Sequence, residues 1–140
     1  MDKKEKAHWP THGQSYKKFL IVDDEPDVSG MLALYFNRKK IEGFTAENGQ
    51  QALQYYEADT SDIGVVVLDT DIGRERGWDV HDRLRTAGYQ GIIIAMSGRD
   101  CPKEWKDRNV PFLAKPILGR VIEDMVTSIL SGEKTDYSGR

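Results

Sequence analysis

The run Val65-Val66-Val67-Leu68-Asp69 constrains this chain most. Four apolar residues, three of them β-branched, followed at once by a carboxylate, describe a strand buried on both faces that delivers Asp69 at its C-terminal end. In open α/β sheets the functional crevice lies outside the carboxyl ends of the strands. Three other segments share this pattern. Phe19-Leu20-Ile21-Val22 ends in Asp23 and Asp24, Ile92-Ile93-Ile94-Ala95-Met96 ends in Ser97, and Pro111-Phe112-Leu113-Ala114 ends in Lys115. Any one of these polar residues alone is an ordinary strand end. Three acids, a hydroxyl and a lysine leaving strands at one edge form a constellation.

Helical patterns lie between the strands. Pro26 suits the first turn of a helix and the acids before it suit the helix dipole. This helix is predicted to run to about Lys40, with Val28, Met31, Leu32, Tyr35 and Phe36 on its apolar face. Phe44–Glu47 reads as a short edge strand. Asn48-Gly49 leads into a helix over Gln50–Glu57, and a loop at Thr60–Asp62 precedes the strand from Ile63. After Asp69 comes a polar loop with Gly73 and Gly77, then a helix from Trp78 to about Thr86, ending near Gly88. Between Cys101 and Asn109 two helical turns at most fit, so helix four is short or irregular. The last helix, about Leu118–Leu130, places Val121, Ile122, Met125, Val126 and Ile129 at core spacing. Alternating strands and helices imply an α/β fold with a doubly wound parallel sheet of five strands, order 2-1-3-4-5, and helices on both faces. The polar stretches 1–17 and 132–140 read as tails or linkers around a domain at 18–131.

Composition narrows the function. A chain of 140 residues suits one domain. Its formal charge of −3, without a basic block, argues against nucleic acid as a direct ligand. No apolar run approaches the ~20 residues of a membrane helix, and no apolar stretch follows the basic start as in a secretory signal. One cysteine, Cys101, cannot form an internal disulfide and fits a reducing, cytoplasmic setting. His8 and His12 would share a metal only on a helix, which Trp9-Pro10 opposes.

Suppose Asp23, Asp24 and Asp69 converge. Two carboxylates ~4 Å apart repel by about 4 kcal/mol at an effective dielectric of about 20. Three need a cation, and hard oxygen donors with room for water suit Mg2+. Ionised in this way, one carboxylate can act as a nucleophile. Lys115 and Ser97 can then neutralise and hydrogen-bond the oxygens of a phosphoryl group carried on it.

In this order the residues resemble the receiver domain of two-component response regulators, over Phe19 to about Leu130. The family has an acid pair after strand one, a phosphoacceptor Asp after strand three, Ser or Thr after strand four and Lys-Pro after strand five. Asp23-Asp24, Asp69, Ser97 and Lys115-Pro116 fill those positions. Gly77, eight residues past Asp69, and Phe112, three before Lys115, match a frequent glycine and a frequent aromatic switch residue. The resemblance implies that Asp69 accepts a phosphoryl group from a phosphohistidine on a histidine kinase or histidine phosphotransfer protein. Asp23, Asp24, Asp69 and the backbone carbonyl of Asp71 would hold Mg2+. Lys115 would pair with the phosphoryl group, Ser97 would swing in to hydrogen-bond it, and Phe112 would turn into the space released. The Lys115-Pro116 peptide would be cis. Such a domain is no enzyme towards other substrates and assists only its own phosphorylation and dephosphorylation. A linked kinase or output domain would lie outside this chain.

The departures from the family carry expectations of their own. Gly73 stands where many members have proline, which predicts a more mobile loop. Asp71 and Arg99 flank the approach to Asp69 and are candidates for tuning phosphoryl lifetime. The short helix four argues against the common dimer face, so a monomer or weak dimer is expected. Two rivals remain. One is a degenerate receiver that binds without phosphorylation. The other is a phosphatase of the haloacid dehalogenase type, whose Asp-x-Asp strand end fits Val65–Asp71 but whose acid pair comes last in the chain. A flavodoxin-type carrier shares the strand order, but these acids would repel a flavin phosphate.

Overall fold

The structure, a computed structural model, describes residues 18–58, 62–98, 100–117 and 119–131, with side chains to 128. His8, His12, Thr60, Arg99 and both tails lie outside the described residues.

Among the described residues twelve elements follow in order: β1 Lys18–Val22, α1 Pro26–Arg38, β2 Gly43–Ala46, α2 Gly49–Ala58, β3 Ile63–Asp69, β4 Asp71–Ile72, β5 Glu75–Arg76, α3 Gly77–Thr86, β6 Ile92–Ser97, α4 Lys103–Asp107, β7 Phe112–Ala114 and α5 Gly119–Ser131. Five strands form one parallel sheet, β2-β1-β3-β6-β7, which is the expected order once the small β4-β5 hairpin is set aside. The central strand β3 is buried at every position. Its side chains alternate between faces as a pleated strand requires. Val65 and Val67 pack with Leu32 and Phe36 of α1 and Ile122, Met125 and Val126 of α5. Val66 and Leu68 pack with Ala52 of α2, Val80 and Leu84 of α3 and Trp105 of α4.

Register decides where the site falls. Val22 pairs with Leu68, Asp69 with Met96, and Ser97 with Ala114. The strands therefore end in line, and Asp23, Asp69, Ser97 and Lys115 emerge at one edge.

Three helices close by the same hydrogen-bond pattern, in which the last carbonyls are met by the two amides beyond the cap. Lys40 and Ile41 donate to the carbonyls of Asn37 and Phe36, Gly88 and Tyr89 to Arg85 and Leu84, and Asn109 and Val110 to Lys106 and Trp105. The residue at the left-handed position is Gly88 after α3 (φ 109°), Asn109 after α4 (φ 55°) and Lys40 after α1 (φ 64°). Helix α4 is short, five residues, as its segment predicts. Among the described residues no helix is long and apolar enough to cross a membrane.

Candidate functional site

Asp23 and Asp69 are buried, 1% and 6% exposed, whereas Asp24 is exposed. One carboxylate oxygen from each of the three lies within 4.8 Å of the others. Lys115 reaches into this cluster from the end of β7. Its Nζ stands 3.1 Å from Asp69 Oδ1, 3.3 Å from Asp23 Oδ2 and 3.3 Å from Glu25 Oε1. Its backbone N–H donates to the Ser97 carbonyl at 2.8 Å, and the Lys115-Pro116 bond is cis, as the resemblance implied. Glu25 returns an N–H to Asp23 Oδ1 at 2.9 Å.

Three carboxylates thus share one ammonium, and the Asp24 carboxylate lies beside them. Burial, and then the charge of Asp23, push the Asp69 carboxyl up to about 6, against the pull of Lys115. Burial on its own would lower Lys115, but Asp69 and Asp23 outweigh it and hold the ammonium above its ordinary value. The surplus negative charge, carried by hard oxygens, matches what a small divalent cation such as Mg2+ requires.

Of the other expected residues, Ser97 reaches the same edge, whereas Phe112 lies within the sheet. Ser97 is buried, 1% exposed, one residue past the partner of Asp69. Phe112 pairs with Ala95 in register and is buried on the α2–α4 face, in the apolar cluster that holds Trp105. The Asp71 carboxylate is exposed and lies 3.3 Å from Arg76 Nη1.

The segment after Asp69 corrects an expectation. In place of the polar loop, β4 and β5 form an antiparallel hairpin with Gly73-Arg74 at its turn. Gly73 takes φ 59°, which a two-residue hairpin turn favours and a proline ring forbids, so the glycine permits the turn. Its N–H donates to Asp24 Oδ2 at 2.9 Å, and Ile72 is buried beneath. Glu75 accepts from the Gly49 N–H at 3.0 Å and pairs with Arg83 at 3.2 Å, which ties the hairpin to α2 and α3. A Cβ on Gly77 would collide with the Asp69 carbonyl oxygen, so only glycine lets α3 start there.

Sequence reasoning missed Glu25, the third partner of Lys115, although its place beside the acid pair was a usable signal. It also missed Thr70 and Trp105, which meet across 35 positions of the chain.

The five-stranded parallel sheet and the acidic edge define a receiver-type architecture, and the chain belongs to the response regulator receiver domain family, whose model matches residues 19–127. The chain is 27% identical over 85 residues to the autoinducer 1 sensor kinase/phosphatase LuxN of Vibrio campbellii, covering 61% of this chain and 10% of that protein. It is 31% identical over 101 residues to the alkaline phosphatase synthesis transcriptional regulatory protein SphR of Synechococcus elongatus, covering 65% and 38%. The chain therefore spans well under half the length of either relative. Among solved structures it resembles the CheX-CheY-BeF3-Mg+2 complex of Borrelia burgdorferi, with TM-score 0.70 and 21% identity over 81% of this chain and 87% of that one.

Proposed function

We propose that this chain takes a phosphoryl group onto Asp69 from a phosphohistidine on a histidine kinase or phosphotransfer protein, in the cytoplasm. The observation that carries this reading is the buried Asp69 carboxylate with Lys115 Nζ at 3.1 Å and Asp23 and Asp24 beside it. A carboxylate oxygen of Asp69 attacks phosphorus, the P–N bond breaks, and the imidazole leaves with the electron pair. Asp23, Asp24, Asp69 and the Asp71 backbone carbonyl would hold Mg2+, which neutralises the acids and the phosphoryl oxygens when bound. Lys115 then turns from the carboxylates to the phosphoryl group, and the Ser97 hydroxyl donates to one of its oxygens. Phe112 repacks as Ser97 moves, which shifts the population between two arrangements of the fold. Asp71, through its pair with Arg76, and Arg99 tune how long the phosphoryl group survives. The chain acts on no other substrate. The Mg2+ of the Borrelia burgdorferi complex is consistent with this choice of cation.

Intact mass after incubation with acetyl phosphate tests the reading. One phosphoryl adduct is expected, dependent on Mg2+ and missing in Asp69→Asn. Clear Mg2+ binding with neither adduct nor steady phosphate release would instead leave a binding module that works without phosphorylation.

A further inference from the structure

Thr70 follows the phosphoacceptor and is completely buried. A buried hydroxyl must have its hydrogen bonds made. Its Oγ1 donates to the Met96 carbonyl at 2.6 Å and accepts from the Trp105 indole N–H at 2.9 Å. The Thr70 backbone N–H faces two acceptors, Asp69 Oδ1 at 2.9 Å and the Met96 carbonyl at 2.8 Å. Its own carbonyl accepts from the Gly77 N–H at 2.7 Å. Thr70 thus joins the carboxylate at the end of β3 to the peptide that leads into Ser97 at the end of β6.

Trp105 holds this node from outside the sheet. It is fully buried, and a buried indole N–H needs an acceptor. Its ring meets Trp78 edge-on at 5.9 Å and His81 at 6.2 Å, so it has a fixed seat against α3. Helix α4 is too short to hold itself by its own hydrogen bonds. Three things place it: Trp105 inside, the turn at Asn109, and an outer fork in which Arg108 Nε and Nη2 donate to Asp82 at 2.8 and 2.7 Å.

We infer that Trp105 is a positioning residue for the phosphoacceptor, acting through the Thr70 hydroxyl, and that this hydrogen bond is the route that links Asp69 to α4 in this chain. The inference rests on the phosphoacceptor reading above. A phosphoryl group on Asp69 alters the acceptor facing the Thr70 N–H. The shared N–H then shifts between Asp69 and Met96, and the hydroxyl carries the shift to the indole. Coupling of this kind is reciprocal: what phosphorylation does to α4, α4 does to phosphorylation.

The test uses 15N-labelled protein, with the indole N–H of Trp105 assigned by its loss in Trp105→Phe. Beryllofluoride with Mg2+ mimics the phosphorylated state. The Trp105 resonance should move more than that of Trp78, and Asp69→Asn should abolish the movement. Trp105→Phe keeps a ring and removes the donor, while Thr70→Val keeps the shape and removes the hydroxyl. Each should change the rate of phosphorylation by acetyl phosphate by about three- to ten-fold, the scale of one hydrogen bond. The double variant should change it no more than either single one, because both remove the same bond. A filler of the core would lower melting temperature and leave these rates and the resonance alone. If mass shows the adduct while the Trp105 resonance stays fixed or the two rate effects add, the inference falls and the phosphoacceptor reading stands. If the parent forms no adduct, both fall.

Discussion

The two faces of the sheet hold their helices by different means. On the α1/α5 face, Leu32, Phe36, Ile122, Met125 and Val126 meet Phe19, Ile21, Val65 and Val67, and Phe19 stacks on Phe36 with ring centres 4.9 Å apart. Such contacts are non-directional and gain by area buried. On the other face three large buried side chains carry polar ends that have partners. Trp105 donates to Thr70, Tyr89 donates to the Ile92 carbonyl at 3.3 Å, and His81 Nδ1 lies 2.9 Å from Asp82 Oδ1. Hydrogen bonds are directional, so on this face the Trp105–Thr70 bond ties a core side chain to the residue next to Asp69. The first face is scaffold. The second is wired to the site.

Variants on each face can break or sharpen this contrast. Phe36→Ala should lower unfolding free energy by about 3–5 kcal/mol in urea titrations while the folded protein is phosphorylated at the parent's rate. A slowed rate matching that of Trp105→Phe would erase the distinction between faces. Gly77→Ala should cost about 1–3 kcal/mol, because its Cβ meets the Asp69 carbonyl oxygen and lies 2.8 Å from Trp105 Cζ2. Unlike Phe36→Ala it should also slow phosphorylation, and an unchanged rate would show that the start of α3 is not coupled to Asp69.

The outer fork gives a smaller effect that depends on pH. Hydrogen bonds from Arg108 first, opposed by burial and aided by His81, bring the Asp82 carboxyl from 3.8 down to about 2. A depressed carboxyl adds stability above its unfolded pKa and loses it as pH falls through the folded value. The stability difference between the parent and Asp82→Asn should therefore be full above about pH 4 and close towards pH 2. Asp82 is half exposed, so the difference should stay within about 1 kcal/mol. A difference that persists at pH 2 would remove the ion pair from the account. Lys40→Gly should have the smallest effect. It relieves a left-handed lysine at the end of α1 but frees the unfolded chain, for a net gain of at most about 1 kcal/mol in chemical denaturation. Phosphorylation should not change.

These two faces also separate what was legible in the sequence from what was not. Asp23, Asp69, Ser97 and Lys115 could be placed because each directly follows an apolar strand, and the ends of parallel strands fall in line. The short α4 followed from the few residues between Ser97 and Lys115. The β4-β5 hairpin escaped because strands of two residues have no periodicity to detect, and Gly73 was read through the proline it replaces rather than the turn it permits. Thr70 and Trp105 escaped because a side-chain bond across the core leaves no mark on local pattern. Arg99 lies outside the described residues.

The most direct test locates the phosphoryl group. Borohydride reduces an acyl phosphate on aspartate to homoserine, so mass mapping of peptides after acetyl phosphate, Mg2+ and borohydride identifies the residue modified. Homoserine at position 69, and at none of the other acids, is the predicted result. Homoserine at position 23 or 24, or a borohydride-resistant phosphate on Ser97, would contradict the assignment of Asp69 as phosphoacceptor.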